Sequence, residues 1–160
     1  MADLELAPAT GEERVAVLDE VARRWAGRTV ARRGGAVHLD DLPVMIAKRD
    51  GSVLGAAVYL VEGRQVEVVT LDAFAPGEGV GSALLEAVAE AGRAAGCTRL
   101  WLIATNDNVS ALGFYLRRGL RLVAVHQGAV AGARLLKPGI PEFGEGGIPI
   151  EDEIELERWL

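Results

Sequence analysis

A stretch near the middle of the chain has the pattern of a strand, a glycine turn and the start of a helix. Val66, Val68 and Val69 are β-branched strand formers in a run that ends at Leu71. The turn Pro76-Gly-Glu-Gly-Val-Gly81 follows, and its glycines can adopt backbone angles that other residues avoid. Apolar residues then recur at helical spacing, and they are Val80, Leu84, Ala87, Val88 and Ala91.

A helix that begins directly after a glycine turn is suited to binding an anion. Its first N–H groups have no partner within the helix, and the positive end of the helix dipole lies beside them. The amides of residues 77–82 are therefore expected to bind a phosphate or pyrophosphate. The alternative is a tight turn before an ordinary packed helix.

Three families of glycine turn compete for this stretch. A Walker A loop ends in Gly-Lys-Ser/Thr, and Gly81-Ser82-Ala83 has no lysine, which argues against nucleotide hydrolysis. A dinucleotide-binding turn needs a last glycine where this chain has Ser82, and it usually opens the first strand–helix unit. The turn resembles the Arg/Gln-x-x-Gly-x-Gly/Ala turn of the Gcn5-related N-acetyltransferases (GNAT) at every position except the first, where Pro76 stands.

A second motif follows the next buried strand. Residues 108–120 resemble the second GNAT signature, Asn-x-x-Ala-x-x-Phe-Tyr-x-x-x-Gly-Phe, with Leu120 in place of the final aromatic residue. The resemblance is close over residues 43–126 and extends to the whole chain in element order. The tail from Leu136 also resembles that of a bacterial subgroup of the family. The matching positions of the second motif are Asn108, Ala111, Phe114, Tyr115 and Gly119.

The order of elements predicts an α+β protein and argues against a doubly wound parallel sheet. Strands are indicated at residues 44–48, 53–61 and 65–71, separated by the turn signals Asp50-Gly51 and Glu62-Gly63. At 160 residues the chain is one domain by size, 1–160. The resemblance implies the GNAT fold, a central mixed, splayed β-sheet of about seven strands flanked by helices.

Other segments are harder to interpret. Residues 27–41 suggest a loop or a short second helix, with the charges of Arg28, Arg32 and Arg33 solvated. Residues 127–150 contain three prolines and are expected to add no helix or strand. They are expected to form a folded cap that lines the acceptor groove or packs against a partner subunit, which makes a homodimer possible. A disordered surface insertion is the alternative. The last strand carries Glu153, Glu155 and Glu157, which are expected to form a solvated face; the alternative is that they attract the amine substrate.

The resemblance implies that acetyl-CoA lies where two central strands part. The backbone around Val69 and Leu71 would pair with the pantetheine arm. Asn108 would hydrogen-bond the arm, Phe114 would pack on it, and Tyr115 would point its hydroxyl at the sulfur. The remaining residues implied to bind acetyl-CoA, by cradling the pyrophosphate, are Gly77, Gly79, Val80, Gly81 and Ser82. Pro76 and Glu78 depart from the pattern, since one removes an N–H donor and the other adds a negative charge.

Acetyl transfer needs a neutral amine, a donor to the oxyanion and a proton for the leaving thiolate. Tyr115 is the candidate acid, because a phenol is a good donor over the neutral range; otherwise it is a half-buried aromatic residue with no role. Glu67 is the candidate base, acting directly or through water, because several members of the family hold a glutamate on this strand. Otherwise it is an outward-facing strand carboxylate.

The amino-acid composition restricts the classes of substrate, metal and partner that the protein is expected to bind. A net charge of −6 argues against nucleic acid and fits a cationic substrate such as an amine. Cys97 is the only cysteine and is expected to be a buried structural thiol, whereas His38 and His126 lack metal-ligand spacing, so no metal site is predicted. Neither a signal region nor a membrane-spanning run is apparent, which predicts no membrane partner and a cytoplasmic protein.

The resemblance therefore implies an N-acetyltransferase that moves the acetyl group of acetyl-CoA directly to a primary amine in a ternary complex. A non-catalytic acyl-CoA-binding sensor or regulatory module is the alternative from a different functional class. The sequence does not choose between a small-molecule acceptor and a protein acceptor.

Overall fold

A computed structural model describes residues 3–160 of the chain. Single helices alternate along the chain with one or more strands. In chain order they are β1 (Glu5–Pro8), α1 (Gly11–Arg24), β2 (Thr29–Arg32), β3 (Gly35–His38), β4 (Val44–Arg49), β5 (Ser52–Glu62), β6 (Gln65–Ala73), α2 (Val80–Ala94), β7 (Arg99–Thr105), α3 (Val109–Arg117), β8 (Arg121–His126), α4 (Ala129–Leu136) and β9 (Glu153–Trp159).

Within the described residues, seven strands form one mixed sheet in the order β1-β4-β5-β6-β7-β9-β8. Neighbouring strands are antiparallel except β6 and β7, which are parallel. The parallel pair is joined through α2, the crossover that such a pair requires. This arrangement confirms the predicted α+β class and the count of about seven strands in the central sheet.

Helices cover both faces of the sheet. On one face α2 buries Val80, Leu84, Leu85 and Val88 against the sheet in a core that also holds Cys97, as predicted for this thiol. On the other face α1 contributes residues spaced along one side of the helix, in accord with its apolar period. These are Val17, Leu18 and Val21.

The segment after α1 forms a two-stranded hairpin of β2 and β3, so the expected loop or second helix is wrong. Its turn is Arg33-Gly34, where both residues have positive φ, 51° and 73°. Such a turn matches the twist of paired strands. Val30 of the hairpin packs into the core beneath α1, so the hairpin covers the sheet on that face.

The segment between β8 and β9 contains α4, so the expectation that it adds no helix is wrong. Val130 and Ala133 are buried, which gives the short helix an apolar side. The Lys137 Nζ donates to the carbonyl oxygen of Trp25 and, at 2.7 Å, to that of Thr29. This segment is therefore folded, and hydrogen bonds from Lys137 hold it beside the β2–β3 hairpin. Among the helices of residues 3–160, none has the length and apolar character needed to cross a membrane.

Candidate active site

A cleft opens where β6 and β7 separate. Their paired residues run from Gln65 opposite Arg99 to Glu67 opposite Trp101. Beyond that point β6 stays paired with β5, and its register shifts at Val69, which inserts as a bulge. The strands therefore part just after Glu67, as the splayed sheet of the sequence prediction requires.

The cavity in this cleft, which we name the cleft pocket, has a volume of about 190 Å³. It brings together residues that lie far apart in the sequence, from β6, β7, the β2–β3 hairpin and α3. Five residues of the predicted site line it, and they are Glu67, Val69, Leu71, Asn108 and Tyr115.

The glycine turn leads directly into α2, as its sequence indicates. Gly77 and Gly79 have φ of 82° and 73°, a conformation that favours glycine, and Val80 is the first helical residue. The side chain of Val80 is buried in the core. The backbone N–H groups of Val80, Gly81 and Ser82 are the unpaired donors at the start of the helix.

The two motifs meet through Phe114. A Cβ at Gly81 would lie 3.0 Å from the Phe114 ring, so the ring packs closely against the backbone of this glycine. The Arg118 guanidinium lies over the same ring at 3.6 Å and donates from Nε to the Ser82 Oγ at 2.5 Å. Sequence reasoning missed Arg118, although its i, i+4 spacing from Phe114 places both on one helix face. Arg118 brings positive charge to the glycine turn, where Pro76 replaced a polar residue.

Glu78, the other departure in the turn, does not carry an isolated charge. Its Oε2 accepts a hydrogen bond from the Arg49 Nη1 at 2.6 Å. The ion pair offsets the negative charge that Glu78 adds near the start of α2. The turn thus combines unpaired amides with the Arg118 guanidinium, which is an arrangement that favours an anionic ligand.

Tyr115 lies half-buried on α3 and lines the cleft pocket. Its ring meets Phe114 edge-on, with centroids 5.3 Å apart. Burial raises the pKa of the Tyr115 hydroxyl above its ordinary value, and the negative charge of Asp72 adds to the effect. The phenol therefore stays protonated across the neutral range and can donate a proton or a hydrogen bond in the pocket.

Asn108 is both a pocket residue and the N-cap of α3. Its Oδ1 accepts a hydrogen bond from the Ala111 amide at 3.3 Å. Because the carbonyl oxygen is used in this way, the Nδ2 group is the part of the side chain suited to a ligand.

Glu67 is buried, with 3% of its surface exposed, so the alternative of an outward-facing carboxylate is wrong. Arg32 holds it with two hydrogen bonds, from Nε to Oε1 at 2.8 Å and from Nη2 to Oε2 at 2.5 Å. These bonds raise the pKa of the Arg32 guanidinium. The expectation that Arg32 is solvated is therefore wrong, and the hairpin carries a charged residue into the pocket.

The glutamates of β9 are also buried, which corrects the expectation that they are solvated. Strand β9 lies between β7 and β8, and arginines on those strands cover its polar face. The Arg99 guanidinium bonds Glu155 at 2.7 Å and Glu157 at 3.1 Å. Glu153 accepts from the Arg33 amide at 2.9 Å and lines the cleft pocket. A second carboxylate thus lies in the pocket with Glu67.

Asp72 is a further acid that the sequence analysis did not single out. Both of its oxygens accept from the Trp25 Nε1, at 3.1 and 2.9 Å. Burial raises its pKa to about 6, although the bond to Trp25 opposes the rise. In the described part of the chain, no group of three or more His, Cys, Asp or Glu side chains is arranged to hold a metal ion.

Comparison with known proteins points to one family. The sequence model of the Acetyltransferase (GNAT) family matches residues 6–120. The chain is 41% identical over 137 residues to the uncharacterized protein YdhI of Bacillus subtilis (strain 168), covering 85% of this chain and 86% of YdhI.

Solved structures share the fold. The IAA acetyltransferase from Bacillus cereus ATCC 14579 superposes with a TM-score of 0.69 at 22% identity, over 99% of this chain and all of that one. A GNAT family acetyltransferase from Elizabethkingia anophelis, solved with acetyl-CoA bound, has a TM-score of 0.69 at 19% identity and covers 98% of each chain. The protein described here belongs to the GNAT family of acetyltransferases.

Proposed function

We propose that the protein transfers the acetyl group of acetyl-CoA directly to a primary amine in a ternary complex. The observation that carries this proposal is the content of the cleft pocket. A protonated phenol, Tyr115, and a buried carboxylate, Glu67, line one cavity at the point where the central strands part. Acetyl transfer to an amine needs a group that protonates the thiolate and another that accepts the amine proton.

The glycine turn is the proposed site of the acetyl-CoA pyrophosphate. The amides of Val80, Gly81 and Ser82 begin α2, and the Arg118 guanidinium lies beside Ser82. The pantetheine arm would then enter the cleft along Val69 and Leu71, with the Asn108 amide as a donor. Family membership and the acetyl-CoA-bound Elizabethkingia structure support the choice of acetyl-CoA.

The chemistry follows from these positions. The neutral amine attacks the thioester carbonyl, and a C–N bond forms as the carbonyl oxygen becomes an oxyanion. The Leu71 N–H is the proposed donor to that oxyanion. When the intermediate collapses, the C–S bond breaks and the Tyr115 hydroxyl gives its proton to the sulfur. The amine nitrogen loses its proton to Glu67, and a proton from Glu67 or from solvent then returns the Tyr115 phenolate to the neutral phenol.

Glu67 is the proposed acceptor of the amine proton, acting through a water molecule. Arg32 uses one bonding direction on each carboxylate oxygen. An ionised carboxylate has about four acceptor directions, so two remain for a water molecule or the ammonium form of the acceptor. The Arg32 guanidinium thus holds the Glu67 carboxylate in a fixed position in the pocket, with acceptor directions left for the amine or a water molecule.

Two measurements test this function. Calorimetry should detect acetyl-CoA binding, while NADH and ATP should not bind, because the turn lacks the residues of those nucleotide sites. An assay of free thiol should then show CoA release that depends on an added amine. Binding without amine-dependent release from any of a broad panel would instead support the non-catalytic acyl-CoA sensor. Absence of acetyl-CoA binding at millimolar concentration would contradict both functions.

A further inference from the structure

We infer that the amine acceptor carries an apolar hydrocarbon group and no second positive charge, and that this group lies in a side pocket next to the cleft pocket. The inference rests on the proposed function and adds the chemical class of the acceptor. The side pocket has a volume of about 300 Å³, against about 190 Å³ for the cleft pocket.

The two pockets are adjacent. Trp25, Val30, Ala31 and Thr105 border both of them. In the inferred arrangement, a molecule whose amine lies beside Glu67 extends past the Trp25 indole into the side pocket. The reacting amine and the rest of the acceptor thus occupy two chemically different spaces.

The far wall of the side pocket is apolar and is supplied by the segment after α4. Ile140, Pro141 and Ile150 form it. Arg134 fixes this wall by donating to the carbonyl oxygens of Pro141 at 2.7 Å and Ile150 at 2.9 Å. A fixed apolar wall favours a hydrocarbon group, since its burial releases ordered water at no cost in desolvated polar groups.

The charges of the two pockets differ in sign. The cleft pocket contains the carboxylates of Glu67 and Glu153 and one cation, Arg32, so one carboxylate is in excess and suits the ammonium form of the reacting amine. The described residues that line the side pocket include two cations, Arg24 and Lys137, and no carboxylate. Arg24 already has a carboxylate partner outside the lining, at 3.1 Å. A second ammonium group on the acceptor would thus lie near Lys137 with no carboxylate of the lining to pair with, so polyamines and aminoglycosides are disfavoured.

A matched pair of amines tests the inference. Pentylamine and cadaverine have the same chain length and differ by one terminal ammonium group. With acetyl-CoA present, we expect kcat/KM for pentylamine to exceed that for cadaverine by about tenfold or more, because the site leaves the second charge unpaired. Methylamine, which is too short to reach the side pocket, should also be a poorer substrate than pentylamine.

A variant at the apolar wall should change the preference between the two amines in the opposite direction. Ile140→Asp puts a carboxylate into the side pocket and should lower the pentylamine-to-cadaverine ratio by about tenfold. Leu135→Asp is the control, since Leu135 lies on α4, just before the wall segment, with 85% of its surface exposed. It should leave the ratio unchanged. Thermal melting of both variants checks that the fold is retained.

Binding separates this inference from the proposed function. Calorimetry on the protein–CoA complex measures amine binding without reaction, and tighter binding of pentylamine than of cadaverine supports the inference. If pentylamine binds but no amine is acetylated, the acceptor class stands and the catalytic function fails. If cadaverine or an aminoglycoside is preferred in transfer and in binding, the inference is overturned and the catalytic function stands. If no amine binds, both are overturned.

Discussion

The Glu67 carboxylate and the Arg32 guanidinium form a two-point ion pair inside the cleft pocket, with N–O distances of 2.8 and 2.5 Å. Glu67 belongs to the central sheet and Arg32 to the β2–β3 hairpin, so the pair ties the hairpin to the sheet at the site. Both side chains are largely removed from solvent, at 3% and 15% exposed. Burial of these two charges costs little free energy of folding only while both partners are present, because each is then the counter-ion of the other.

We expect Glu67→Gln to lower kcat by about 100-fold, because the variant loses the acceptor of the amine proton. The glutamine side chain keeps an oxygen that can accept from Arg32, but the buried guanidinium loses its counter-ion, so the melting temperature should fall while acetyl-CoA affinity changes little. Steady-state kinetics and calorimetry measure these quantities. Glu62→Gln, at an exposed position on β5, is the matched control and should keep the parent kcat. A Glu67→Gln kcat within twofold of the parent would show that the proton leaves by another route.

Tyr115→Phe should lower kcat by roughly ten- to a thousand-fold, because it removes the proton donor to the departing thiolate. Affinity for acetyl-CoA should change little, since the hydrogen bond strengthens only as the thiolate develops. Tyr59→Phe removes a phenol from outside the cleft pocket and should have the parent kcat. If the two variants behave alike in single-turnover experiments, water and not Tyr115 protonates the sulfur.

Arg118→Gln should weaken acetyl-CoA binding by about tenfold or more, because we propose that Arg118 donates a charge-assisted hydrogen bond to the pyrophosphate, and such a bond contributes roughly 1.5–3 kcal/mol. The kcat at saturating acetyl-CoA should change less than the dissociation constant. Arg117→Gln changes the neighbouring, exposed arginine of the same helix and is the control. Equal dissociation constants for the two variants, measured by calorimetry, would assign Arg118 a purely structural role at Phe114.

Asp72→Asn should stabilise the protein at neutral pH. Burial raises the pKa of Asp72 to about 6 from its ordinary 3.8, so its contribution to stability is full below about pH 4 and is lost as pH rises through 6. The rise corresponds to up to about 3 kcal/mol, which the neutral asparagine does not lose. Melting curves should show a higher melting temperature for the variant at pH 7.5 and a smaller difference at pH 4.

The exposed control Asp41→Asn should match the parent at both values of pH. An Asp72→Asn melting temperature below that of the parent at pH 7.5 would mean that the ionised carboxylate stabilises Trp25 by more than its burial costs.

Local pattern was enough to predict much of this fold. The strand before the glycine turn, the turn itself and the start of α2 each depend on residues that are neighbours in the chain, so their periodicity is visible in the sequence. The second motif placed Asn108 at the start of a short helix and Tyr115 within it. The structure brings both into the cleft pocket with Glu67.

The features that the sequence did not predict depend on distant partners. Strands β2 and β3 have four residues each, too short for a clear alternation, and pairing stabilises them. Alternation on β9 correctly indicated a strand with one polar face, but burial of that face depends on Arg99 of another strand. The Arg32–Glu67 pair joins residues 35 positions apart, and only the folded hairpin brings them into contact.

The most direct test of the proposed reaction is mass spectrometry of a mixture of the protein, acetyl-CoA and pentylamine. The proposed reaction predicts that pentylamine gains one acetyl group for each CoA released, while the protein keeps its unmodified mass. An acetylated protein intermediate would contradict direct transfer. Acetyl-CoA that stays intact, with pentylamine and each amine of the broad panel unmodified in parallel mixtures, would contradict catalysis itself.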